Sequence, residues 1–262
     1  MIPSQPDPLT ENPQVRLIHD ENLTLLGNWK ASGLPQLRLV YLDPPFDTGS
    51  TWSTRDGEKA YVDRWKGDSF MRMMEERLVL IREALTDDGS LFLHVDFRRA
   101  PHLQLLCDAI FGAGARVGPK EPGFRNEIVW LYGLGGSSHR FYPRKHDNLY
   151  WYTKSKKWIF NPPMVPATSQ RLKGKMKKAP DYWSIPSLNN MAAERTGYPT
   201  QKPLALLDRI VLAHSEPGDW IGDFFCGSGT TLVSAVNNGR NAIGCDASEV
   251  AIATAKARLG LD

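Results

Sequence analysis

Residues 219–231 read DWIGDFFCGSGTT. A short apolar run ends in an acid, Asp223, and passes through the small-residue turn Cys226-Gly227-Ser228-Gly229 into Thr230-Thr231. The spacing that follows predicts a helix over 230–237 closed by Asn238-Gly239, a strand over 241–245, and a helix over 248–259 with Ser248 as its N-cap. Strand, glycine turn and helix in this order form the repeating unit of open α/β sheets, which bind ligands at the carboxyl ends of their strands. Gly227 and Gly229 let backbone approach a ligand closely, and the helix start offers unpaired N–H groups with a positive dipole end. Nineteen residues past Gly227, Asp246 ends the next strand, where an acid can accept both hydroxyls of a ribose. Two familiar patterns do not match. The third glycine of a dinucleotide fingerprint is Leu232 here, and the turn has no lysine, so it is not a P-loop. A purely structural glycine turn is the plain alternative.

The same alternation continues toward the N-terminus. Helical spacing covers 203–214, and short apolar runs at 15–19, 37–42 and 90–95 read as strands. The pattern Phe70, Met73, Met74, Arg77, Leu78, Ile81, Leu85 reads as a helix over 69–85, stopped by Asp87-Asp88-Gly89 with Gly89 in the left-handed conformation. Residues 100–111 read as an amphipathic helix. Runs at 127–132 and 148–153, joined by the glycine-rich segment 133–138, read as an antiparallel pair. Residues 154–200 show no period. The predicted class is α/β with a mostly parallel sheet, and no internal repeat is found.

The run LRLVYL over 37–42 stops at Asp43-Pro44-Pro45-Phe46. Prolines carry no N–H, so Asp43 and the Pro44 carbonyl present acceptors only, and Phe46 adds an aromatic face. Two acceptors and a ring make a receptor for a planar amine. A proline turn that merely ends a strand is the alternative. A second such string, Asn161-Pro162-Pro163-Met164, lies in the aperiodic zone and reads as loop.

The chain has 262 residues, 41% hydrophobic and 23% charged, an ordinary globular balance that excludes a disordered tail, a fibre or a disulfide scaffold. No apolar run is long enough to span a bilayer, and the Pro-rich start, 1–14, reads as a tail rather than a signal peptide. Three scattered cysteines, Cys107, Cys226 and Cys245, give neither a zinc site nor a disulfide framework and fit a reducing, cytoplasmic setting. The six histidines read as structural by default; for His94, which ends a buried strand, and Asp96 just beyond it, lining the site is the alternative, with the structural reading favoured. The net charge of +3 conceals an asymmetry. Residues 140–180 hold eleven Lys/Arg against one acid, Asp147, which is +10, so the other 221 residues sum to −7. Such a block is a candidate polyanion footprint, or a solvated lysine face.

Together these strings resemble the β-class, circularly permuted amino-methyltransferases of DNA, in which the catalytic motif precedes the cofactor motif. The resemblance spans roughly residues 19–259. Three more pieces fit it: residues 18–23 (IHDENL), 198–203 (YPTQKP) and 239–246 (GRNAIGCD). Tyr61, Asp63 and Trp65 with the helix from Met73 look like the segment that follows the catalytic turn. The resemblance implies a Rossmann-like methyltransferase fold, S-adenosylmethionine as cofactor, and methylation of adenine N6 in duplex DNA. The catalytic residues it implies are Asp43, Pro44, Pro45 and Phe46. Those for the cofactor are Asp20, Thr200, Gln201, Lys202, Asp223, Phe225, Gly227, Gly229, Thr230, Thr231 and Asp246. DNA contacts are expected from Arg140, Lys145, Arg171, Lys173, Lys175, Lys177 and Lys178, within or beside a short basic recognition insert at about 154–198, and Trp158 or Trp183 is a candidate to fill the gap left by a flipped base. No metal is implied. Double-stranded DNA is the implied partner; a homodimer and a cognate restriction endonuclease are partners such enzymes can have, and the sequence decides neither. The alternatives are cytosine N4 as target, a nucleotide-dependent oxidoreductase, and a non-catalytic DNA-binding subunit of the same fold.

Overall fold

The LRLVYL run forms a central strand buried at five of its six positions, as its uninterrupted apolar content requires. In this computed structural model the described residues are 12–46, 49–53, 57, 59–63, 68–133, 137–189 and 191–261. The elements in the first half are β1 (Val15–His19), α1 (Asn22–Gly27), β2 (Leu37–Leu42), β3 (Ser50–Ser53), β4 (Lys59–Asp63), α2 (Ser69–Ala84), β5 (Leu85–Val95) and α3 (Ala100–Phe111). Then come β6 (Gly123–Leu131), β7 (His146–Thr153), β8 (Met164–Pro166), β9 (Met176–Lys178), β10 (Tyr182–Ser184), α4 (Leu204–His214), β11 (Trp220–Asp223), α5 (Thr230–Asn237), β12 (Asn241–Asp246) and α6 (Glu249–Leu259).

Eight strands form one sheet in the order β1-β12-β11-β2-β5-β7-β6-β10. All neighbours are parallel except β5–β7 and β7–β6, the antiparallel pairing read from the sequence at 127–153. Alternate side chains of β2 and β5 serve two cores. Val40, Leu42, Leu91 and Leu93 pack with residues of α1, α2 and α3 on one face. Leu39, Tyr41 and Phe92 pack with residues of α4, α5 and α6 on the other. The order places β11 against β2, pairing Ile221 with Leu39 and Gly222 with Val40. The glycine turn after β11 and the Asp-Pro-Pro-Phe turn after β2, about 180 residues apart in the chain, therefore emerge side by side.

The dinucleotide pattern needs a helix glycine for close helix–strand packing, and Leu232 stands there instead. The strand supplies the glycine: a Cβ at Gly244 on β12 would come within 2.6 Å of the Leu232 side chain. The interdigitation is the same with the two partners exchanged.

Several expectations are corrected. The α2 helix ends at Ala84 because Leu85 turns extended (φ −67°, ψ 146°) and begins β5. Gly89 is not a left-handed stop but lies inside β5, opposite a bulge between Leu37 and Leu39, where a Cβ would meet the Thr86 carbonyl at 2.9 Å. β6 begins four residues earlier than the reading at 127. The zone 154–200 is not a bare insert. β10 pairs with β6 in the main sheet, and Trp183, Ile185 and Tyr198 are buried. What stands apart is the β8–β9 hairpin. The strand runs missed α1, whose N-cap Glu21 accepts from the Leu23 and Thr24 amides, and the β3–β4 hairpin. Residues 1–11 of the tail, Trp65 and the centre of the 133–138 connection lie outside the described residues. Among those described, no helix is long and apolar enough to cross a membrane.

Candidate active site

The two turns line one cavity of about 450 Å³. Asp43, Pro44, Pro45 and Phe46 form one wall and Asp223, Phe225, Gly227, Thr230, Thr231 and Asp246 the other, with Thr200, Gln201 and Lys202 joining from the segment before α4. Of the residues expected at the cofactor, Asp20 and Gly229 are not in the lining. Asp20 is exposed and accepts the Glu21 amide, while Glu21 itself lines the cavity. Gly229 (φ 75°) starts α5 and lies against α6, where a Cβ would come within 2.9 Å of Ala255 Cβ. Its small size serves helix packing.

On the cofactor side Asp246 sets the turn. Its Oδ2 accepts the Gly227 N–H at 2.9 Å and its Oδ1 the Ser248 N–H at 2.9 Å. Each oxygen keeps a lone pair, the two acceptors that a ribose diol needs. Gly227 (φ 49°) lies under the Tyr198 ring, which a Cβ would meet at 3.2 Å. Thr200 is the one non-glycine described residue with positive φ (61°). A β-branched residue held there is strained backbone at the edge of a site. Gln201 folds the approach to it, accepting from the Thr196 N–H and hydroxyl and donating to the Glu194 carbonyl at 2.7 Å.

Asp223 lies at the floor, accepting from the Thr231 hydroxyl at 2.6 Å and the Phe225 N–H at 3.1 Å. Burial pushes its carboxyl up to about 7, against those two hydrogen bonds and helped by the charges of Asp43 and Asp246. Five acids, Glu21, Asp43, Asp63, Asp223 and Asp246, thus line a cavity whose cations are Lys202 and Arg77. The acceptor set suits a ligand that carries positive charge and a ribose, which is what S-adenosylmethionine presents. The raised value has a stability consequence. The folded state holds a proton that the unfolded chain has lost between pH about 4 and 7, so stability falls as pH rises through that window. Asp223→Asn is expected to remove a loss on the order of a few kcal/mol, leaving the variant more stable than the parent at pH about 8 but not at pH about 4. Urea titrations of both proteins at the two pH values check this.

On the catalytic side, Asp63 at the end of β4 accepts the Phe46 N–H at 3.2 Å and so pins the turn. Lys202 donates to Asp43 Oδ2 and to the Thr200 carbonyl, and its Nζ is 5.6 Å from the Phe46 ring centroid. Lys202, expected with the cofactor, therefore also reaches the catalytic acid. Asp43 Oδ1 is buried and has no hydrogen-bond partner. His94, read from the sequence as more structural than site-lining, has its Nδ1 3.7 Å from that oxygen.

Sequence reasoning missed a second layer. Asn22 donates to the Phe224 carbonyl and accepts from Arg77 of α2, each at 2.5 Å, and Arg77 also pairs with Glu21. Glu21 and Asn22 lie in IHDENL, whose last polar positions carried the signal. The three thiols are buried. Burial raises that of Cys226 well above its usual value and that of Cys245 to about 12, so neither is a nucleophile.

The basic residues divide into two groups. Arg140 and Lys145 lie in the β6–β7 connection, which re-enters the sheet beside the carboxyl end of β5, where Asp147 meets His94. Tyr142 there is 94% exposed, and Arg144 stacks on Phe97 and Phe141. Arg171, Lys173, Lys175, Lys177 and Lys178 lie on or beside the β8–β9 hairpin, tied to the main sheet through β10. Trp183 is buried and Trp158 half-buried, each stacked by an arginine, so the structure uses both in packing.

The chain from residue 37 to 257 matches the family model described as DNA methylase. It is similar to the type II methyltransferase M.EcaI of Enterobacter cloacae, 27% identical over 93% of this chain and 69% of that one. It is 28% identical to the DNA adenine methyltransferase YhdJ of Escherichia coli K12 over 88% of this chain and 77% of that one. Among solved structures, the M1.HpyAVI–SAM complex superposes with a TM-score of 0.67 at 21% identity, over 95% of this chain and all of that one. The cytosine-N4-specific PvuII DNA methyltransferase superposes with 0.65 at 16%, over 97% and 90%.

Proposed function

Because the chain belongs to the DNA methylase family, whose enzymes take their methyl group from S-adenosylmethionine, we propose that it methylates the exocyclic N6 amine of adenine in duplex DNA. One observation carries the choice of an amine. Asp43 and the Phe46 ring already hold a nitrogen between them, the ammonium of Lys202. A base amine that displaces Lys202 meets the same acceptor and the same aromatic face. Two further points favour adenine: the aspartate that heads the Asp-Pro-Pro-Phe turn, and the relative named as an adenine methyltransferase.

The cofactor supplies an electrophilic methyl group, and the chain supplies position. Asp246 takes the ribose hydroxyls, Glu21 adds negative charge, and Gly227 lets backbone approach. Asp43 and the Pro44 carbonyl accept from the amine hydrogens, which aims the nitrogen lone pair at the methyl carbon. Catalysis of this kind is orientation plus electrostatics, with no covalent enzyme intermediate. A base inside a duplex must first be flipped out to reach the cavity. Methylation-sensitive sequencing of DNA from cells expressing this chain tests the reading. N6-methyladenine at one sequence context is expected; N4-methylcytosine would transfer the assignment to the other amine, and unmodified DNA would overturn it. A cognate restriction endonuclease belongs to the same reading, since several relatives carry type II names.

The hairpin cations are assigned to phosphates. Reversing charge at Lys173, Lys175 and Lys177 is expected to weaken duplex binding and to flatten its dependence on salt by about two to three counterions. Binding isotherms at several salt concentrations check this, and an unchanged slope would make the hairpin a solvated surface.

A further inference from the structure

Behind Asp43 lies a chain of polar groups that positioning alone does not use. His94, fully buried on β5, has its Nε2 3.1 Å from Asp147 Oδ2 at the start of β7 and its Nδ1 2.7 Å from the Tyr41 hydroxyl. The chemistry of these partners fixes the protons. Burial opposes charge on Asp147, but the hydrogen bond from His94 and the nearby Lys202 ammonium prevail and hold it below the usual carboxylate value. An ionised carboxylate only accepts, so His94 Nε2 carries a hydrogen, and in the neutral ring Nδ1 is then an acceptor. Burial keeps the Tyr41 phenol protonated, and it donates to Nδ1. The same Nδ1 faces Asp43 Oδ1, the buried oxygen without a hydrogen-bond partner, across 3.7 Å. Two acceptors face each other, and what would join them is one proton.

We propose that this gap takes the proton released by the methylated amine, making His94 and Asp147 positioning and proton-holding residues of the reaction. The inference rests on amine methylation and is the same for adenine and cytosine. The amine lone pair forms the N–C bond while the donor C–S bond breaks and its electron pair stays on sulfur. The nitrogen then holds one proton too many. Its N–H bond breaks, the pair returns to nitrogen, and Asp43 takes the proton. As the Tyr41 hydroxyl turns its hydrogen away from Nδ1, that proton passes from Asp43 Oδ1 to the freed lone pair of His94 Nδ1, restoring the carboxylate and leaving an imidazolium between two anions. Closing 3.7 Å to hydrogen-bond reach takes roughly half an ångström. Asp147, whose side chain is 14% exposed, is the outlet to solvent. Opposite charge on Asp147 stabilises the imidazolium as it forms.

The test is single-turnover methylation of duplex DNA by the full chain across pH about 5.5 to 9, the range over which a histidine titrates, for the parent, His94→Gln and Asp147→Asn. Other charges act on this pair, namely Asp96, Tyr132 and Asp223 through Asp147 and Tyr41, so profiles are read as differences between variants. His94→Gln is expected to slow methyl transfer by about 10²-fold and to erase the acid limb. Asp147→Asn should displace that limb to lower pH, because an imidazolium without its anion loses its proton more readily. Affinity for S-adenosylhomocysteine and melting temperature should stay near the parent's. The proposal is overturned if both variants keep the parent's rate and acid limb, or if the rate falls only in proportion to cofactor affinity and stability, as a scaffold role requires. A parent that methylates neither amine removes the reading beneath it instead.

Discussion

Asp43→Ala is expected to lower methyl transfer by about 10³-fold or more while affinity for S-adenosylhomocysteine changes by no more than about threefold. The turn keeps the Pro44 carbonyl and the Phe46 ring, and Asp63 still holds the Phe46 amide. What disappears is the acceptor now engaged by Lys202 and the oxygen that faces His94. The amine would then meet one oriented acceptor instead of two, and its departing proton would have no base in contact. Asp43→Asn separates these losses. The amide keeps an acceptor but is a far weaker base, so it should fall between the parent and alanine. Rapid-quench measurement at saturating cofactor checks the rate, and calorimetry checks the affinity. An alanine variant with more than about a tenth of parental rate would take the catalytic role from Asp43.

The turn proposed for that role was legible in the sequence because proline removes donors whatever surrounds it. Asp-Pro-Pro-Phe after a buried strand means acceptors and a ring at a strand end, and the structure places them there. The glycine turn and Asp246 were legible for the same reason: backbone freedom and strand ends are local properties. What escaped depends on partners far along the chain. His94 at the end of a buried strand was readable as structural or site-lining, and only the antiparallel return of β7 brings Asp147 to its Nε2. Asp20 and Glu21 are adjacent acids. Glu21 caps α1, a six-residue helix with too few turns for a periodic signal, and that cap, not Asp20, reaches the cavity. Gly89 failed for a related reason. A glycine after a helical run signals a stop, but here it serves a bulge against β2, a partner some fifty residues away. Short strands in basic, Pro-rich sequence were illegible because three residues carry no period, and β10 becomes a strand only through its pairing with β6.

The converse variant, Asp246→Ala, is expected to weaken S-adenosylhomocysteine binding by about 10²-fold or more, while the rate at saturating cofactor stays within a few-fold of the parent's. Two hydrogen bonds from a ribose diol to a carboxylate are each worth about 1.5–3 kcal/mol, so losing both accounts for that factor. A further loss comes from the turn. Gly227 and Ser248 each give their N–H to Asp246, and without it both donors must find solvent while the left-handed Gly227 loses its clamp. Asp246→Asn keeps one carbonyl oxygen, enough for either the turn or the ribose, and should lose less. The two acids lie in one cavity yet should dissociate cleanly. On the proposed reading Asp43 would govern rate with little effect on affinity, and Asp246 affinity with little effect on rate, because one would touch the amine and the other the ribose. A variant of Asp246 that loses rate at saturation as steeply as Asp43→Ala would mean that the glycine turn also orients the reacting groups, and the division of the cavity into two halves would fail.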